Sequence, residues 1–148
     1  MRARKTPSCP PQPLSPKGRG SKCGRGRKTL TLSAHATAYQ QSFQAGRAIE
    51  APVATQLAGG MACRVPDPQA LEIICREVDE VIAVTDAEVA DAMRAMFADT
   101  HNVAEGAGAA ALAGALQQRS RWAGRSIGIT LSGGNVDSAT FARVLAGG

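Results

Sequence analysis

A helix-start signal set directly behind a short apolar run constrains this chain more than any other feature. Val81-Ile82-Ala83-Val84 is followed at once by Thr85-Asp86-Ala87-Glu88. Thr and Glu three residues apart form a capping box, in which hydroxyl and carboxylate each take a backbone N–H of the first turn. Four apolar residues before a cap suit a strand better than a helix. The predicted helix buries Val89, Met93 and Phe97, with Met96 as an added neighbour. A second helix start lies upstream: Asp67 as N-cap with Pro68 at the first helical position. Leu71, Ile74, Cys75 and Val78 then recur at spacings of three and four on one face.

The rest of the chain continues this alternation. Thr29-Leu30-Thr31-Leu32-Ser33 alternates like a strand, and residues 36–45 suit a helix stopped by Gly46. Residues 47–66 read as irregular, broken by Pro52, Gly59, Gly60 and Pro66. Residues 105–117, rich in Ala, read as a closely packed helix. Ser126-Ile127-Gly128-Ile129-Thr130-Leu131 reads as a strand ending in the turn Ser132-Gly133-Gly134-Asn135. Asp137 or Ser138 caps a last helix over 138–146, with Phe141, Val144 and Leu145 facing inward. The expected order is β-α-β-α-α-β-α, an α/β layer with a small parallel or mixed sheet flanked by helices.

Charge divides the chain. Residues 1–28 hold nine Lys or Arg and no acid, whereas 29–148 hold eight Arg and twelve acids. The tail carries +9 and the remainder −4, so the basic balance describes the tail and not the fold. Five prolines and four glycines within 7–26 leave little apolar surface to offset ordering entropy, and the tail is read as disordered. It could touch nucleic-acid phosphates through charge alone, but it has no aromatic residues for base stacking, so nucleic acid is not the favoured partner. No apolar run approaches a membrane span, and no h-region marks a secretory signal, which points to a cytoplasmic protein. Cys9, Cys23, Cys63 and Cys75 show no CxxC spacing, and His35 and His101 are far apart. No metal site is expected, and free thiols are the plain reading.

Two segments carry candidate chemistry. Glu105-Gly106-Ala107-Gly108-Ala109-Ala110-Ala111 fits the loose GxGxxA spacing of dinucleotide sites, but no strand precedes it and no acidic residue ends a second strand. Its glycines are read instead as points of close packing. Leu131-Ser132-Gly133-Gly134-Asn135-Val136-Asp137 puts a hydroxyl and pliable backbone at the carboxyl end of an expected strand, where open α/β folds bind ligands.

Together, E-G-A-G-A-A-A-L at 105–112 and L-S-G-G-N-V-D at 131–137 resemble the closing segments of fold-type II pyridoxal-phosphate (PLP) enzymes. The threonine and serine dehydratase branch is the nearest likeness. Supporting stretches run in order from about residue 30: Ser42-Phe43-Gln44-Ala45-Gly46-Arg47, Gly60-Met61-Ala62, and Val78 to Glu88. The resemblance implies PLP as cofactor, an amino-acid substrate, and elimination of water from threonine or serine, giving 2-oxobutanoate or pyruvate with ammonia. It implies that Ser132, beside Gly133, hydrogen-bonds the pyridine nitrogen and that Glu105 lies close to the ring.

The same resemblance exposes gaps. The phosphate-binding Gly-rich loop and the Ser-x-Gly-Asn loop have no counterpart. Ala58-Gly59-Gly60 stands where the family carries Ala-Asp-Gly, and residues 33–40 lack the carboxylate of the family's metal site. The Schiff-base motif S-F-K-x-R-G is echoed only by Ser15-Pro16-Lys17-Gly18-Arg19-Gly20, where Pro16 replaces the aromatic residue and Gly-rich sequence replaces the following helix. That echo is read as accidental, and no catalytic residue is assigned. The expectation is a dehydratase-like part that is inactive alone, open to a complementing chain or a homo-oligomer. A nucleic-acid or interaction module acting through the tail is the alternative.

Overall fold

Two parallel strands form the sheet. The computed structural model describes residues 26–147. β1 (Thr29–Ser33) pairs in parallel with β2 (Glu80–Val84), with Thr29 opposite Glu80 and Ser33 opposite Val84. Between them run α1 (Ala38–Ala45), a 3-10 turn (Gly59–Met61) and α2 (Pro68–Glu77). After β2 come α3 (Asp86–Thr100), α4 (Gly106–Gln117), the single-turn α5 (Arg119–Trp122) and α6 (Ser138–Leu145). The fold is α/β with a small parallel sheet flanked by helices. Residues 1–25, and with them most of the tail reading, lie outside the described residues.

Local signals place the elements. Asp67 Oδ1 accepts from Ala70 N–H at 2.8 Å, and Asp137 Oδ1 accepts from Thr140 N–H at 2.8 Å, each capping its helix. At α3 the capping box is complete: Thr85 N–H donates to Glu88 Oε2 at 2.7 Å and Glu88 N–H to Thr85 Oγ1 at 3.2 Å. Gly46 ends α1 at φ 69°, a left-handed conformation that costs glycine nothing.

The core lies where α3 and α4 cross beneath β2. Val84, Val89, Ala92, Met93, Ala104 and Ala109 are fully buried there. Phe97 and Phe141 pack edge to face at 5.4 Å and bind α6 to α3. With only three Phe, one Tyr and one Trp in the chain, alanine and glycine set how closely the helices approach. Val144 is buried as expected, but Leu145 is 40% exposed because it lies on the outer side of α6.

Two expectations are corrected. Residues 126–131 form no strand. A strand needs a neighbour to take its N–H and C=O groups, and none pairs with this run among the described residues; Ile127, Ile129 and Leu131 stay 39–46% exposed. Arg119–Trp122 instead adds a short helix, whose Arg121 reaches back to Glu80 at 2.8 Å. The thiols also differ from the plain reading. Cys63 is free, but Cys75 is disulfide-bonded, since pairing depends on proximity in space and not on spacing in sequence.

Candidate functional site

Glu105 occupies the N-cap position of α4, and the Ser132–Asn135 turn closes over it. Glu105 N–H donates to Gly133 O at 3.0 Å, joining segments that are far apart in the chain. Glycine makes the contact possible from both sides. A Cβ on Gly108 would stand 2.2 Å from Gly133 O, and a Cβ on Gly133 would stand 2.4 Å from Glu105 Oε1. Gly134 is equally tight, with Val103 O 2.6 Å from where its Cβ would be. The two glycine-bearing motifs therefore fit one another at backbone distance.

The first turn of α4 meets a third segment. A Cβ on Gly106 would stand 2.2 Å from Leu57 O, and one on Gly60 would stand 2.9 Å from Ala107 Cβ. The Leu57 loop is held in turn by Asp86, which accepts from Thr55 Oγ1 at 2.7 Å and Gln56 N–H at 2.9 Å. Asp86 stands two residues past the end of β2, so the site sits at the carboxyl end of the sheet. Burial works against ionisation of the Asp86 carboxyl, but these hydrogen bonds outweigh it and hold its pKa below the usual value. The contribution of residues 55–60 was missed in the sequence, where they read only as irregular; the pair Gly59-Gly60 was the one available signal.

Each expected site residue has a distinct setting. Gly133 is half-buried against Glu105, which is itself half-buried. Ser132 is exposed, lines a cavity of about 990 Å³, and its hydroxyl has no hydrogen-bond partner among the described residues. The arrangement offers a free hydroxyl at one lip and a carboxylate held beside the turn by its backbone. The described residues hold no cluster of three His, Cys, Asp or Glu fit for a metal ion, and no helix among them is long and apolar enough to cross a membrane. Lys28 is the one lysine among the described residues. It precedes β1, is ion-paired with Glu77 at 3.0 Å, and thus stands at the amino end of the sheet. Five residues of strand, roughly 15 Å, separate that end from the Ser132 side.

A family model described as pyridoxal-phosphate dependent enzyme matches residues 27–133, which includes the first glycine-bearing motif and the second as far as Gly133. The chain belongs to the pyridoxal-phosphate-dependent enzyme family. An L-threonine ammonia-lyase of Geobacter sulfurreducens is 37% identical over 76% of this chain and 28% of its own length. An L-threonine ammonia-lyase of Thermotoga maritima is 35% identical over 70% of this chain and 26% of its own. Among solved structures, maize serine racemase superposes with a TM-score of 0.69 at 31% identity, over 82% of this chain and 38% of that one. The likeness lies in the threonine and serine dehydratase branch of the family, whose cofactor is PLP. The chain spans roughly a quarter to a third of the length of the curated relatives it matches.

Proposed function

We propose that residues 29–148 form one wall of a threonine/serine dehydratase-type lyase site and that the isolated chain does not catalyse the reaction. In this reading the complete enzyme eliminates water from L-threonine, and hydrolysis of the enamine so formed takes up a water, releases ammonia and leaves 2-oxobutanoate; it works in the cytoplasm. PLP supplies the electron sink when bound. The observation that carries the reading is the junction of Glu105 with Gly133, because it assembles both motifs of the resemblance into one surface with Ser132 free at its edge.

The residues present fit the cofactor in part. A serine hydroxyl can donate to a pyridine nitrogen, and Ser132 is exposed with no hydrogen-bond partner for its Oγ among the described residues. Glu105 and Gly133 would border the ring. The aldehyde and phosphate ends find no match: Lys28 lies at the far end of the sheet in an ion pair, and the described residues include no Gly-rich phosphate loop. No proton-transfer step is therefore assigned to this chain alone.

The test is the visible spectrum of the pure full chain with PLP, before and after borohydride, alongside an ammonia assay with L-threonine. The expected result is no protein-specific band, no reduced adduct on lysine and no ammonia. An adduct trapped on Lys17, with turnover, would overturn the claim of incompetence. A polypeptide bearing the relatives' remaining length should restore activity, and Ser132→Ala should then cut kcat at least tenfold with a shifted cofactor band. Restored activity indifferent to Ser132→Ala would remove the wall assignment.

A further inference from the structure

Asp86 directs its carboxylate away from the helix it begins. It is the first residue of α3, where an acid ordinarily serves the free N–H groups of the first turn. Thr85 and Glu88 already fill that part through their capping box. Both Asp86 oxygens go instead to another segment: Oδ1 accepts from Thr55 Oγ1 at 2.7 Å and Oδ2 from Gln56 N–H at 2.9 Å. Thr55 passes the hold onward, because the same Oγ1 accepts from Ala58 N–H at 3.1 Å, and Ala58 is fully buried. Between these fixed points lies Leu57, whose carbonyl oxygen stands 2.2 Å from where a Cβ on Gly106 would be. Gly106 is the first residue of α4, directly after Glu105. Glu105 makes no side-chain cap to its own helix, and its backbone N–H goes to Gly133 O at 3.0 Å.

We propose that Asp86 is a positioning residue of the site: through Thr55 and Leu57 it sets the first turn of α4, and with it the seat of Glu105 against the Ser132–Asn135 turn. A hydroxyl has one proton to give. While that proton points at the Asp86 carboxylate, the Thr55 lone pairs face Ala58 N–H, so both ends of the segment are held by one side chain. A hydrogen bond to an ionised acceptor is shorter and stronger than a neutral one, as the 2.7 Å separation reflects. The contact of Leu57 O with Gly106 is backbone against backbone. No flexible side chain lies there to absorb a shift, so movement of Leu57 passes directly to the start of α4. Upstream, Ala54 N–H donates to His35 O at 2.8 Å, an anchor independent of Asp86, which confines the effect to residues 55–58. The proposal deepens the wall reading and rests on it for the meaning of the Glu105–Gly133 junction. Its test reads that junction with no PLP present, so failure here and failure of the Ser132→Ala test are separate results.

The experiment is residue-resolved amide exchange on the isotope-labelled full chain. Asp86→Ala removes both acceptors and should speed exchange at Glu105 and Ala58 by about tenfold or more relative to Ala113, which is buried in the far half of α4. Thr55→Val keeps the shape and removes the hydroxyl, and should act in the same way. Thr55→Ser restores the hydroxyl and should bring Glu105 back to within about threefold of the parent. Thr85→Ala weakens the start of α3 by a route that bypasses residues 55–58, and should move Glu105 and Ala113 by the same factor. If Asp86→Ala does not fold, the two Thr55 variants decide. Unchanged exchange at Glu105 in Asp86→Ala, equal speeding at Glu105 and Ala113, or no difference between Thr55→Val and Thr55→Ser overturns the proposal.

Discussion

Thr85 and Glu88 show how much one local pair contributes here. Their reciprocal hydrogen bonds start α3, whose Val89 and Met93 are fully buried. Thr85→Ala should lower stability by about 1 kcal/mol, read from the urea midpoint. The Thr85 N–H, ahead of burial that opposes it and a further hydrogen bond from Gln117, holds the Glu88 carboxyl below its ordinary 4.5. A carboxyl depressed in the folded state contributes fully above its unfolded pKa and loses that contribution as pH falls through the folded value. Stability should therefore decline as pH drops below about 4.5, and Glu88→Gln, which cannot titrate, should decline less steeply over the same range. Met93→Ala tests the core in the same way, with a loss of roughly 2–5 kcal/mol expected because a fully buried methionine leaves a cavity.

At the scale of elements, α4 decides whether a site exists. Gly108 admits Gly133 O, a backbone atom that has little room to move. Gly108→Ala should cost about 1–3 kcal/mol in denaturant titration, since the added Cβ forces helix and turn apart. Gly114→Ala should cost less, because it meets Ile82 Cδ1 and Thr31 Oγ1, side-chain ends that can turn away. A Gly108→Ala chain as stable as the parent would show that the turn is not clamped. Both segments could be read in the sequence, and so could the Ser-Gly-Gly turn. The approach of Glu105 to Gly133 could not, since no spacing rule relates positions so far apart. The support from Thr55, Gln56 and Leu57 was hidden for the same reason: its partner, Asp86, lies in another element.

For the molecule as a whole, the open edge of β1 and the apolar run beside it should govern behaviour in solution. Val65 is 61% exposed and Ile73 52%, in addition to Ile127, Ile129 and Leu131. Unpaired strand edges and exposed apolar surface favour association. Light scattering should show self-association that rises with concentration and resists salt, whereas a salt-insensitive clean monomer at all concentrations would contradict it.

The sequence by itself determined the helix starts, the two paired strands, the mixed α/β class and the family. Those signals are caps, periods and ordered motifs, each readable within a few residues of chain. Tertiary structure alone decided that residues 126–131 pair with no strand among the described residues, that Cys75 is bonded, and that Glu105 meets Gly133. The physical reason is that strand pairing and backbone approach depend on which neighbour is present in space. An alternating run such as Ser126–Leu131 shows a readiness to pair, but only a partner strand completes the ladder.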